Sequence, residues 1–231
     1  MKDYYIGMHE KQEIFTIMGG RVNIIRSIYN PTSDAVWLAA FIDGAPTTVL
    51  DAGCGTGAVG LCLMARIPNI KMTALDISPE MLSAAQQNFK LNDQSAEFIN
   101  ADILSWRTAR TFDAVITNPP YFHGTPAKHN AHHNTDLTLW IQRCAARVKP
   151  GGTFATIIDA SETATVIAAM ARTLGDIKIL PLFSVHDTAE RVLLSGRAGR
   201  GAKTSLMSAM SMNTDAILRD GKSITDTRKR S

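Results

Sequence analysis

The residues with the most pointed chemistry are Asn118, Pro119, Pro120, Tyr121 and Phe122, which follow the apolar run Phe112–Asp113–Ala114–Val115–Ile116–Thr117. Two successive prolines end a strand, because neither donates to a ladder and each fixes its own φ. The run therefore predicts a short buried strand, residues 113–117, with a rigid Asn-Pro-Pro-Tyr corner at its C-terminal end. Ligands bind at that edge of an open α/β sheet. A side-chain amide, carbonyls held still by prolines and an aromatic ring suit a flat molecule carrying an amino group.

A second constellation precedes it. In Val49–Leu50–Asp51–Ala52–Gly53–Cys54–Gly55–Thr56–Gly57 a strand ends in an acid, and glycines then alternate into a helix. Glycines there permit positive φ and close approach of a ligand to the backbone, and the helix start offers unpaired N–H groups. Two readings compete. Gly55, Gly57 and Gly60 satisfy the dinucleotide fingerprint, and Asp76 lies roughly 20 residues on, as that fingerprint asks. Against a nicotinamide enzyme, Asp51 would set a negative charge beside a pyrophosphate, whereas it would suit a ligand with an ammonium group. Asp102 follows the third strand, where an adenine amino group could donate to it. The proline corner has no obvious part in hydride transfer.

The elements that must hold these residues alternate in type. Strands are expected at 47–51, 71–76, 96–100, 113–117 and 153–158, with helices at 57–66, 79–91, 135–148 and 162–174. Ser78 and Pro79 mark the start of the second of these helices, and Pro150–Gly151–Gly152 stop the third. Residues 177–185 and 191–195 read as paired strands closing the sheet. Such alternation predicts an α/β fold, a mostly parallel sheet covered on both faces. The expected division is an N-terminal flap or helical segment (1–45), a main domain (46–214) and a polar, basic, poorly ordered tail (215–231). In the first part, Val22–Ile25 suggests a strand and 35–42 an apolar helix. Asp34 is equally explained as that helix's N-cap or as a residue against a bound ligand.

Composition sets the bounds. The chain has 231 residues, 45% of them apolar, enough for a substantial core. No stretch reaches the roughly 18 consecutive apolar residues that span a membrane, and no signal peptide is evident at the N-terminus. Cys54, Cys62 and Cys144 lack CxxC spacing, so reduced thiols in a cytoplasmic protein are expected. With 24 basic and 21 acidic residues the net charge is only +3. The basic excess gathers from Arg191 onward and reads either as a solvated tail or as a phosphate-contacting patch. The segment 124–134 carries Lys128, His129, His132 and His133. No cysteine or acid there completes a familiar ligand spacing, so no metal is expected. A long polar loop beside the corner is the kind that closes on a substrate.

Taken together, the glycine loop, Asp76, Asp102 and the corner, in that order, resemble class I S-adenosylmethionine-dependent methyltransferases over roughly residues 47–195. The resemblance implies a Rossmann-like fold with a seven-stranded sheet and a C-terminal antiparallel strand. It implies that Asp51, Gly53, Gly55 and Gly57 hold the methionine end of the cofactor. Asp76 would bind the ribose, Ile77 would pack on adenine, and Asp102 with the Ile103 N–H would read the adenine edge.

The corner itself resembles that of amino-methyltransferases acting on adenine, guanine or glutamine amides. Such a nitrogen is a poor nucleophile because its lone pair is delocalised. Acceptors at Asn118 and the Pro119 carbonyl would bind both amino hydrogens and favour the charge developing during attack. Tyr121, with Phe122, would stack on the planar target. Asn118, Pro119 and Tyr121 are thus the candidate catalytic residues, Asn118 also lying against the cofactor. Pro120, Phe122, Lys128 and Arg197 are the candidate substrate contacts. The layout, with 33–40 before the glycine loop, Lys149–Pro150–Gly151–Gly152 and the late Arg191–Val192–Leu193–Leu194, is similar to a bacterial family related to tRNA-Val adenine-N6 methyltransferases. The implied partner is tRNA or another structured RNA. Glutamine side chains of a protein and small molecules remain alternative acceptors, and a monomer is expected with a dimer left open.

Overall fold

The structure, a computed structural model, describes residues 13–26, 30–120, 137–185, 187–199, 201 and 203–229. The chain opens with a hairpin, β1 (Ile14–Ile17) and β2 (Val22–Ile25), and helix α1 (Ser33–Phe41). Thr32, not Asp34, caps α1, its side chain accepting the Asp34 N–H. Every residue of α1 from Asp34 to Phe41 is buried, the condition of a helix that is apolar all round.

Alternating strands and helices follow. They are β3 (Thr48–Ala52), α2 (Ala58–Arg66), β4 (Lys71–Asp76), α3 (Pro79–Leu91), β5 (Ala96–Asn100), β6 (Phe112–Thr117), α4 (Leu137–Ala145), β7 (Val148–Asp159) and α5 (Thr163–Met170). Next come β8 (Leu174–Phe183), β9 (Arg191–Ala198), β10 (Thr204–Leu206), β11 (Met210–Ser211) and two short helices, α6 (Asp215–Leu218) and α7 (Ile224–Arg228). The sheet order is β10-β8-β9-β7-β6-β3-β4-β5, with β11 also on β8. Strands β3 to β7 are mutually parallel where they pair, and β9 runs antiparallel between β7 and β8.

Seven strands were expected, and the sheet has nine. The additional β10 and β11 extend the β8 edge with parallel pairing. Alternation along the central strands explains the two-faced core. Ala114 and Ile116 join the cluster under α1 and α2, while Val115 joins the one under α4. Two boundaries move. Strand β7 begins at Val148, inside the residues expected to end a helix. Helix α5 stops at Met170 because Leu174 is already paired with Ala198 in the sheet.

The expectation of a poorly ordered C-terminal tail is corrected. Ile217 and Ile224 are 0% and 2% exposed. The Thr225 hydroxyl donates to Asp43 at 2.7 Å, and the hairpin's Gly19 lies so close to the Arg219 carbonyl that a Cβ there would come within 2.1 Å of its oxygen. Two isoleucines in a polar stretch are enough to dock it on α1 and the hairpin. The basic residues there are largely paired: Arg219 with Asp215, Lys222 with Asp220 and Lys229 with Asp226.

Candidate active site

Because β3 to β6 run parallel, their C-terminal ends meet at one edge. Strand β6 lies directly beside β3, with Asp51 opposite Ile116, two residues before Asn118. The glycine loop folds over the end of β4, where the Gly53 and Cys54 N–H groups donate to the Leu75 carbonyl at 2.8 and 3.0 Å. Gly53 and Gly57 sit at φ of +71° and +83°, and a Cβ at Gly57 would meet the Phe89 ring at 2.8 Å. Only glycine fits there.

Asp51 is buried at the base of this loop. Its Oδ2 accepts the Gly60 N–H at 3.1 Å, while Oδ1 has no hydrogen-bond partner among the described residues. Burial pushes the carboxyl up to about 7; the Gly60 N–H pulls it down and the Asp76 charge adds to the rise. A buried carboxylate oxygen without a donor is costly. A cationic or N–H donor arriving from a ligand would satisfy it, so this loop fits a molecule with an ammonium group. Asp76 accepts the Gly55 N–H at Oδ2 (2.8 Å) and the Ser78 N–H at Oδ1 (2.9 Å). It therefore locks the loop, and each oxygen retains a lone pair for a further donor. The following helix is capped by Ser78, whose Oγ accepts the Met81 N–H. The Gly55 N–H that a pyrophosphate would need is thus already given to a carboxylate, which weighs against the dinucleotide reading.

Ile77 is 43% exposed at the same edge. Asn100, which sequence reasoning missed, donates to the Ile77 and Asp76 carbonyls at 2.8 and 3.1 Å and ties β5 to them. Asp102 Oδ1 accepts the Leu104 N–H at 2.9 Å, and the Ile103 side chain is buried. Burial holds the Cys54 thiol well above its ordinary range and pushes Cys62 up to about 12. All three cysteines are free.

At the corner, Asn118 is half-buried, Pro119 buried and Pro120 exposed. Asn118, Pro119 and Pro120 line a cavity of about 190 Å³ together with Leu137, Ile157, Ile158, Asp34, Asp159, Ser161, Glu162 and Arg191. Asp34 is buried, and its Oδ2 is 3.3 Å from the Arg191 Nε. The Arg191 Nη1 reaches Asp159 Oδ2 at 3.1 Å. No local sequence signal pairs Arg191 with Asp159; the antiparallel register of β7 and β9 brings them together. Tyr121, Phe122, Lys128 and the histidines at 129, 132 and 133 lie outside the described residues. Arg197 does not join the site. It pairs in register with Thr153 and donates to the Gly151 carbonyl at 2.7 Å, at the opposite end of the strands. Among the described residues no group of three or more His, Cys, Asp or Glu could hold a metal, and no helix is long and apolar enough to cross a membrane.

The family model of the methyltransferase small domain matches residues 34–181, more than half of the chain. A tRNA1(Val) (adenine(37)-N6)-methyltransferase of Vibrio cholerae is 37% identical over 139 residues, 56% of this chain and 58% of that protein. A release factor glutamine methyltransferase of Deinococcus radiodurans is 34% identical over 142 residues, 55% of this chain and 50% of that one. The chain thus matches about half the length of either relative. In fold, it is similar to the crystal structure of a predicted O-methyltransferase from Agrobacterium tumefaciens, with a TM-score of 0.68 at 23% identity, covering 82% of this chain and 97% of that one.

Proposed function

This chain belongs to the methyltransferase small domain family, and from that premise we propose that it moves a methyl group from S-adenosylmethionine to an exocyclic amino nitrogen, most fittingly that of adenine in tRNA or another RNA. The observation that carries the reading is a juxtaposition. The Oδ1 of Asp51, without a hydrogen-bond partner among the described residues, and the Asn118–Pro119 corner sit at the same ends of neighbouring strands, Asp51 pairing with Ile116 two residues before Asn118.

In this reading Asp51 and the Gly53, Gly55 and Gly57 backbone receive the methionine end. Asp76 takes the ribose, Ile77 packs on the adenine, and Asp102 with Ile103 reads its edge. When bound, S-adenosylmethionine supplies an electrophilic methyl group. The chain's contribution is to place the acceptor nitrogen. Asn118 and the Pro119 carbonyl accept its two hydrogens, which favours the pyramidal, positively charged nitrogen of the transition state over the flat ground state. No base need act before attack; alignment supplies much of the rate. The main domain, residues 46–214, carries these residues, Asp34 of α1 adds to the cavity wall, and the protein works as a cytoplasmic monomer. Lys128 and Phe122 are retained as substrate contacts, whereas Arg197 is better read as a structural residue of β9.

The test is methyl transfer from labelled S-adenosylmethionine into unmodified tRNA. Asn118→Ala is expected to reduce it by roughly 10²–10³ while S-adenosylhomocysteine binding persists; no transfer by the wild type to any RNA would sink the RNA reading. The relative from Deinococcus radiodurans supports a second reading, a protein glutamine acceptor. A peptide centred on Gly-Gly-Gln that is methylated in place of RNA would establish it.

A further inference from the structure

The Asp34–Arg191–Asp159 bridge shares its cavity with the Asn118–Pro119 corner, and its construction is out of proportion to a surface contact. Asp34 stands in the first turn of α1 with 5% of its side chain exposed, 157 positions from its partner. A carboxylate buried to that degree is strongly disfavoured unless it is paired in good geometry. Arg191 opens β9 and Asp159 closes β7, facing each other across the antiparallel ladder. One guanidinium therefore joins the start of α1 to the edge of the sheet, at the wall of the cavity.

Charge decides between two roles for it. A guanidinium flanked by two carboxylates leaves a net negative group, a poor receptor for phosphate. A planar fork held from two sides is instead a rigid spacer. We propose that Arg191 is a positioning residue for the methyl acceptor. Clamped by Asp34 and Asp159, it fixes the width of the cavity in which a flat, uncharged, amino-bearing group meets Asn118. The inference rests on the methyltransferase reading above and adds the device that makes the acceptor pocket narrow. The sugar–phosphate or peptide backbone of the acceptor then lies outside this cavity.

Steady-state kinetics with unmodified tRNA and with a Gly-Gly-Gln peptide, alongside S-adenosylhomocysteine calorimetry, test it in wild type, Arg191→Lys, Arg191→Ala, Asp34→Asn and the Asp34→Asn/Arg191→Ala double variant. A misplaced acceptor wall is expected to lower kcat/KM for the acceptor by roughly ten- to a hundredfold in both Arg191 variants, while cofactor affinity stays within about twofold. Lysine keeps the charge but not the fork, so it should rescue little. The double variant should cost no more than the worse single one, as members of one unit do. Unchanged acceptor kinetics in Arg191→Lys would overturn the proposal, as would cofactor affinity falling in step with activity, the mark of general damage. A wild type inactive on both acceptors would bring down the underlying reading and the proposal with it, a result visible in the wild-type arm alone.

Discussion

Trp140 donates its indole N–H to the hydroxyl oxygen of Thr117 at 3.0 Å, one residue before Asn118. The same hydroxyl donates to the Ala52 carbonyl at 2.7 Å, at the end of β3 where the glycine loop begins. A single buried oxygen thus joins the strand that carries the corner, the strand that carries Asp51, and helix α4 on the other face. Thr117→Val would take the hydroxyl partner from a buried donor and a buried acceptor, at about 1–3 kcal/mol each. The expected loss is about 3 kcal/mol, or roughly 6–12 °C in melting temperature. Thr117→Ser, which keeps the oxygen, should stay near wild type. Thermal melts of both variants check this.

Asp51 makes ligand binding depend on pH. Its carboxyl is pushed up to about 7 by burial, so around pH 6 the folded protein holds a proton there that the unfolded chain has released. Stability without ligand therefore falls as pH rises between about 4 and 7, then levels off. A cationic ligand group needs the ionised form, so affinity for S-adenosylhomocysteine should change in the opposite sense, strengthening from pH 5.5 to 7.5. Binding near pH 6.5 should release a fraction of a proton. Calorimetry in two buffers of different ionisation enthalpy measures that release, and Asp51→Asn should abolish it.

Gly57 offers a sharper test of the loop. At a φ of +83° with the Phe89 ring in the way of any Cβ, Gly57→Ala meets both backbone strain and a clash. A loss of about 2 kcal/mol in stability is expected. Affinity for S-adenosylhomocysteine should weaken more than tenfold, about 1.4 kcal/mol or more, because the loop must shift to relieve the contact. Gly44, also at positive φ but with open space around it, is the control: alanine there should cost only the backbone strain and leave binding intact.

What could be read in the sequence, and what could not, divides by the distance over which the signal acts. The glycine loop, the Ser78–Pro79 helix start and the proline corner are local, because turn chemistry, capping and strand termination are settled within a few residues. Asp51 and Asp76 were legible as acids at strand ends, though not the Gly55 N–H that Asp76 takes. The Asp34–Arg191–Asp159 bridge and the Thr117 junction were not legible, since their partners meet only through strand order and register. Arg197 was misplaced for the same reason. Six residues along an antiparallel strand separate it from Arg191, and that carries it from the ligand edge to the opposite one.

The docked C-terminal segment gives the last prediction. Its sequence is polar and charged, yet Ile217 and Ile224 are buried against the body of the protein. Trp37 of α1 also donates its indole N–H to the Met212 carbonyl at 3.2 Å. Since Asp34 lies in the first turn of α1, the segment braces the helix that reaches the cavity beside the Asn118–Pro119 corner. Ile224→Ala should cost about 2–5 kcal/mol by leaving a void in packed surroundings. A chain ended after Thr214 should melt lower than wild type and lose acceptor affinity before cofactor affinity. A solvated tail would produce neither effect, so melting curves and the two binding constants of the shortened chain decide between them.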